Sequence, residues 1–244
     1  MSTSRTLIAA LRFQGGAVIA ADSQASDSAA LVRWPIEKLE RVGSHPCVVG
    51  LSGSVARGQA ARSKLEALRL HTNTFDKWER VRNAVATCLS PIYREIKQAN
   101  DTAQREIYQT ALWGLLVYWA EGEPHILECG LNGDIEHHEH FHAIGSAAKT
   151  AYAVYRTLGG KRLCSLEERR ALLVMLRILR TCVAVELFGV SEPLSAWVLS
   201  EGKATKVSPD VIQAKLQAVD EWEEKDRSAL LGDIQLSPHL NGYA

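Results

Sequence analysis

The order of apolar patterns along the chain predicts an α/β (α+β) fold built around one large core. Three observations carry this expectation. Residues 6–13 and 17–26 are short apolar runs on either side of Gly15-Gly16, the mark of a β-hairpin. Both runs are apolar at consecutive positions, which suits strands covered on two faces. A helical period then occupies residues 55–98, and strand patterns return over 110–145.

Each element has its own justification. Pro35 follows Trp34 and has no N–H for a ladder, so this stretch belongs at an edge or in a loop turning into a strand. A third apolar run, Val48 to Ser54, ends in small residues. From Val55 to His71, Ala56, Ala60, Leu65 and Leu68 recur at helical spacing. Asp76 and Glu79 form a capping pattern for a second helix carrying Trp78, Val81, Val85 and Leu89. Pro91 is expected to kink or interrupt that helix before residues 92–98 resume it. Strands are expected at 111–119, 124–130 and 141–144, with a turn at Asn132-Gly133. Ser146 is a natural N-cap for a helix over 147–158, which Gly159-Gly160 stops. Ser165 and Glu168 read as a capping box opening an apolar helix that runs to Phe188 and stops at Gly189. Residues 195–199 and 204–207 form a hairpin around Glu201-Gly202-Lys203. Ser208-Pro209 then starts a last helix with Ile212, Leu216 and Val219 on one face.

Composition narrows the function classes. A chain of 244 residues can fold as one domain. Its 28 basic residues balance 28 acidic ones, with no basic stripe, so neither nucleic acid nor a membrane is an expected partner. Cys47, Cys88, Cys129, Cys164 and Cys182 are scattered with no C-x-x-C pair, which points to reduced thiols in a cytosolic protein. Arg12 and Asp22 break the early apolar run, so no signal peptide or membrane span is read there, and a cytoplasmic location is expected.

The spacing of three polar residues is the functional signal. Asp22 and Lys38 follow Thr6 by 16 and 32 residues, and Gly50-Leu51-Ser52-Gly53-Ser54 leads into a helix. With the Asp22-Ser23-Gln24-Ala25-Ser26 string, this set resembles the proteasome β subunit and the peptidase subunit of the bacterial HslUV protease, over roughly residues 6–208. The resemblance implies a four-layer α/β/β/α sandwich of the N-terminal-nucleophile hydrolase type and a threonine nucleophile at Thr6. A threonine hydroxyl needs a neighbouring base. An N-terminal α-amine, with a pKa of about 7.7–8.0, can serve. Lys38 would accept a proton or set the local field, and Asp22 would pair with it, because a buried unpaired ammonium is costly. By the same resemblance, the Gly53 N–H is the oxyanion donor. Ser146 would hydrogen-bond near the threonine amine, so it carries both this reading and the N-cap one. Ala25, Ser26, Ile36 and Gly50 would contact substrate, with small Ala25 and Gly50 leaving room for an apolar side chain.

The resemblance divides the chain into a short leader at 1–5, expected to be removed, a hydrolase domain at 6–208 and a C-terminal helix and tail at 209–244. It implies a threonine-type endopeptidase subunit in stacked homo-oligomeric rings, acting on peptides or unfolded proteins, with an ATPase or unfoldase cap as a further candidate partner. Two departures keep other readings open. Arg5 stands where a glycine usually precedes the threonine, and Leu7 replaces the second residue of a common Thr-Thr pair. Arg180-Thr181-Cys182-Val183-Ala184 stands where the family usually places a supporting Asp and Ser, with Glu186 the nearest acid. A non-catalytic ring subunit and a hydrolase of small amides are the alternatives. Finally, His138, His140 and His142 alternate and would share one strand face. A structural zinc site needs four supported ligands, so this cluster is read as a polar face at a subunit contact, and no metal or cofactor is expected.

Overall fold

The structure, a computed structural model, describes residues 6–27, 32–68, 77–103, 112–130, 133–185 and 190–232, with side chains outside 24–34, 99–103 and 230–232. Two five-stranded antiparallel sheets lie face to face with helices on both outer surfaces. The first sheet has the order β10 (Phe141–Ile144), β1 (Ile8–Phe13), β2 (Gly16–Asp22), β11 (Leu194–Ser200), β12 (Lys203–Lys206). The second has the order β5 (Leu39–Arg41), β6 (Cys47–Gly53), β7 (Leu112–Ala120), β8 (Glu123–Cys129), β9 (Ile135–His138). A separate two-stranded ribbon joins β3 (Gln24–Asp27) to β4 (Val32–Pro35).

Three apolar layers follow from strand alternation. Ile8, Ala10, Ile19, Val48, Val117 and Ile126 point inward between the sheets. Leu7, Leu11, Val18 and Ala20 face the opposite way, onto α3 (Ala148–Thr157) and α4 (Glu168–Val185). Val49, Leu51, Leu116 and Leu127 face α1 (Val55–Ala67) and α2 (Trp78–Ala103). This is the expected α/β/β/α sandwich, and it explains the consecutive apolar positions of β1 and β2: both faces are covered.

The structure differs locally from the sequence expectations for physical reasons. Pro91 lies inside α2 without ending it. A proline in a helix interior costs about 3 kcal/mol. On either side of it Val81, Val85, Leu89, Ile92 and Ile96 are all buried. At about 1.5–3 kcal/mol for each buried side chain, that stripe outweighs the lost hydrogen bond. Helix α1 buries Gly58, Ala61 and Leu65, leaving Ala56 and Ala60 exposed, so its core face is rotated from the expected one. Asp76 lies outside the described residues; the first N–H of α2, at Trp78, donates to Glu121 Oε2 at 3.3 Å. Ser165 does not cap α4, because its hydroxyl turns back to the Arg162 carbonyl at 2.8 Å. The histidine stretch expected to share one strand face is split between β9, which ends at His138, and β10, which starts at Phe141.

The C-terminal helix α5 (Pro209–Gly232) packs on α4 and β11. Ile212, Leu216 and Val219 are buried as their spacing implies, and the Ser208 hydroxyl accepts the Val211 N–H at 3.4 Å. Arg177 of α4 lies 3.7 Å over the Trp222 ring and pairs with Asp226 at 2.6 Å. Among the described residues no helix is long and apolar enough to cross a membrane.

No disulfide joins the five cysteines; Cys47, Cys129 and Cys182 are buried, while Cys88 and Cys164 are half-buried. Burial pushes the Cys47 and Cys129 thiols up to about 12, which removes the reactive thiolate at neutral pH. Alkylation of the native protein with iodoacetamide should therefore mark Cys88 and Cys164 slowly and leave Cys47, Cys129 and Cys182 untouched until denaturant is added. Peptide mass mapping before and after unfolding checks this; early labelling of Cys47 or Cys129 would contradict the packing.

Candidate active site

Antiparallel pairing of β1 with β2, in the register Ile8↔Ala21, brings the start of one strand beside the end of the other. Leu7 and Asp22 therefore meet across the ladder. The Asp22 N–H donates to the Leu7 carbonyl at 3.2 Å, and Asp22 Oδ1 accepts the Leu7 N–H at 2.8 Å. The same Oδ1 receives Lys38 Nζ at 2.7 Å, from the loop between β4 and β5. This ion pair is nearly dry, with side-chain exposures of 5% for Lys38 and 0% for Asp22.

Burying two charges costs several kcal/mol per ion, and it is tolerated when attraction and further hydrogen bonds are well formed. Asp22 meets that condition through its backbone donor. Burial lowers the Lys38 pKa from its ordinary 10.5, and attraction to Asp22 opposes the shift without cancelling it. The amine is thereby a readier proton acceptor than a surface lysine.

On its other edge β1 pairs with β10, Ile8 opposite Ile144, so the turn after β10 arrives beside Thr6. Thr6 is only 3% exposed, and its N–H donates to Ser146 Oγ at 3.2 Å. Ser146 does not cap α3: the residue before that helix is Ala147, and no side chain caps it. Gly145 explains how the turn comes so close. Its φ is 99°, and a Cβ there would lie 2.0 Å from the Thr6 carbonyl oxygen. No other residue type fits against that backbone.

Two cavities meet at the end of β6. One, of about 220 Å³, is lined by Thr6, Ile36, Lys38 and Gly53 over a floor of Leu51 and Leu112, with Arg62 at its rim. The other, of about 390 Å³, shares Ser52 and Gly53 with the first and is walled by Trp113, Glu128, His142, Gly145 and Ser146. The imidazoles of His138 and His142 beside Glu128 hold its carboxyl down to about 2.

The structure thus brings Thr6, Asp22, Lys38, Gly53, Ser146 and Ile36 into one region. Gly50 lies elsewhere. A Cβ on it would sit 2.7 Å from Ile8 Cγ2 and 2.9 Å from Leu39 Cδ2, so its missing side chain closes the inter-sheet core and makes no room for substrate. Ala25 and Ser26 fall on β3 opposite Trp34 and Arg33, with side chains outside the described residues. Glu186 lies outside the described residues altogether. The second cavity, with Glu128 and His142 in its wall, had no counterpart in the sequence reading. Its only signal was the alternation of histidines after Gly133, which does not report contact across sheets.

A model of the family described as "Proteasome subunit" matches residues 1–188. A search of curated proteins finds no match.

The ion pair sets two stability expectations. Asp22→Asn and Lys38→Met should each lower unfolding stability by about 3–5 kcal/mol, since each strands a buried partner. The double variant should lose clearly less than the sum of the two. Urea unfolding of all four proteins measures the difference; additive losses would mean that the pair is not coupled. Gly145→Ala should cost about 1–3 kcal/mol through overpacking against Thr6, whereas Ser146→Ala should cost about 1 kcal/mol or less.

Proposed function

Because the chain belongs to the proteasome subunit family, we propose that this proteasome-like peptidase subunit cleaves peptide bonds with the Thr6 hydroxyl as nucleophile. The observation that carries the proposal is the convergence of Thr6, Lys38 and Gly53 on one cavity, with Asp22 buried beneath.

The chemistry proceeds in two steps once Met1–Arg5 have been removed and Thr6 carries a free α-amine. The Thr6 hydroxyl gives its proton to that amine, and its oxygen bonds to the substrate carbonyl carbon. Lys38 supplies a field that favours the deprotonated hydroxyl, and Asp22 keeps the ammonium in place. The oxyanion that forms is met by the Gly53 N–H. The peptide C–N bond then breaks, and the proton passes to the departing amine. Water, activated by the same amine, attacks the resulting ester, releasing the acid and restoring the hydroxyl. Ser146 holds the Thr6 nitrogen in position throughout.

Stacked rings of this same chain are proposed as the assembly, with peptides or unfolded polypeptides as substrates and an ATPase cap as partner. A second reading, a ring subunit without activity, is favoured by Arg5 ahead of Thr6 and by Thr181, Cys182 and Val183 within α4 in place of a supporting Asp and Ser. Intact mass separates the two. Loss of the Met1–Arg5 mass from wild type, with retention in Thr6→Ala, supports catalysis.

Thr6→Ala should abolish hydrolysis and labelling by a peptide vinyl sulfone, and Lys38→Met should lower the rate about 10²–10⁴-fold. Undiminished labelling of Thr6→Ala would remove the nucleophile from Thr6. The pH profile of kcat/KM should rise as the α-amine, ordinarily at about 7.7–8.0, sheds its proton. It should fall again where Lys38 loses its ammonium charge, at a pH below the ordinary lysine value of 10.5 because burial lowers the Lys38 pKa. Light scattering of native protein should give a mass many times 26.8 kDa.

A further inference from the structure

We propose that Glu128, His138 and His142 bind a first-row divalent cation of the zinc class at the edge of the inter-sheet core. The site does not depend on Thr6 being a nucleophile.

The three residues come from different parts of the sandwich. Glu128 shares the face of Ile126 on β8, and His138 on β9 lies opposite Ile126 in the ladder. His142 on β10 lies opposite Ala10 of β1, in the other sheet. All three therefore point into the layer between the sheets. The break at Glu139-His140, where the chain crosses from one sheet to the other, folds His138 onto His142 with ring centroids 3.6 Å apart. His140 does not take part: it is more exposed and lies near Glu139. The histidines thus do not form the single strand face that their alternation suggests.

The donor atoms converge. His138 Nε2 is 3.3 Å and His142 Nε2 is 2.8 Å from the same oxygen, Glu128 Oε2. In a tetrahedral site with zinc bonds of about 2.0–2.1 Å, neighbouring donors lie roughly 3.3 Å apart. One ligand atom from each residue falls within 4.8 Å of the others. Despite these short distances, neither ring nitrogen makes a hydrogen bond of acceptable geometry, and both atoms are buried without a hydrogen-bond partner. His142 is only 8% exposed, so no bulk water satisfies it. Two stacked imidazoles and one carboxylate oxygen therefore present three donor atoms to one point. Two imidazolium rings at this separation would repel each other.

The supporting contacts fit a metal better than a proton. The Tyr152 hydroxyl meets His142 Nδ1 at 2.7 Å, which lets Nδ1 carry the ring proton and leaves the Nε2 lone pair for an ion. Imidazole with carboxylate is a donor set suited to zinc and its neighbours. Three protein ligands leave a fourth position for an outside donor, and Glu128 and His142 line the cavity shared with Gly53 and Ser146. There the ion would take an oxygen donor from water or from a bound peptide. It would also tie the second sheet to the first beside Thr6.

The test uses the full chain without a histidine tag, stripped with chelator and dialysed against Co²⁺ or Zn²⁺. One ion per chain should remain, and Co²⁺ should show the intense visible bands of low coordination number. Glu128→Gln, which keeps the side-chain shape, and His138→Ala should each weaken binding about tenfold or more. His137→Ala should not, because His137 faces the other side of β9, against His125 and Trp78. Thr6→Ala should bind as wild type does. Circular dichroism identifies any variant that fails to fold. If His138→Ala does fail, Glu128→Gln and the nitrogen ligation seen by X-ray absorption of the wild-type cobalt protein decide. Absence of a retained ion in wild type, or unchanged affinity in Glu128→Gln, would overturn the site and leave a proton as the shared cation.

Discussion

The Asp22 carboxylate has no exposed surface, and the local architecture follows from the partners that close on it. A lone buried carboxylate is so unfavourable that it would take up a proton. Here Lys38 Nζ and the Leu7 N–H both close on Oδ1. The first contact draws the loop before β5 under the end of β2. The second ties the residue after Thr6 to the same oxygen. One carboxylate therefore fixes the backbone of the candidate nucleophile and the position of the candidate ammonium. The strength of that arrangement is also its vulnerability, because losing either partner leaves the other buried without its opposite charge.

Around this pair, β1 acts as the common reference. It is hydrogen-bonded to β2 on one edge and to β10 on the other, so Asp22 and Ser146 reach Thr6 from opposite sides. Both flanking strands are locked in register by apolar residues on two faces. A slip of one residue would exchange the layer facing α4 for the layer facing β7. The precision of a hydrogen bond at the rim is thus inherited from packing in the core. Gly145 shows how close the tolerance is: the turn passes the Thr6 carbonyl with no space for a methyl group.

What the sequence revealed depends on how far apart the interacting residues lie. The Thr6, Asp22 and Lys38 spacing was legible because a short hairpin places Leu7 beside Asp22 with little freedom. Apolar periodicity likewise marked the buried faces of α2 and α5. Gly50 was misread because its neighbours, Ile8 and Leu39, lie in other strands, and pattern alone does not say which face a glycine spares. Pro91 does not interrupt its helix, because a buried stripe on both sides of it outweighs the local rule. The turn at Glu139-His140 was hidden because it depends on pairing between distant strands. Alternating histidines resemble one strand, and only the pairing of β10 with β1 shows that the chain has changed sheets.

Two polar clusters share a placement that bears on why they are there. Asp22 with Lys38, and Glu128 with His138 and His142, both flank an inter-sheet layer that is otherwise built from Ile, Ala, Val and Leu. Such a layer binds strongly but discriminates weakly, since apolar side chains tolerate small displacements of one sheet over the other. Polar groups do not. Glu128 and His142 approach within 2.8 Å from opposite sheets, and a shift of either sheet would separate them in a region that water reaches poorly. The cluster therefore selects one alignment of the two sheets, the one in which the end of β6 stands beside Thr6. Alignment matters most at Gly53, which borders both cavities and belongs to the second sheet, while Thr6 precedes the first. An N–H on one sheet can meet an oxyanion formed at a residue of the other only if the sheets keep their offset. On this argument the polar edge of the layer serves the geometry of the site as directly as the residues that line it.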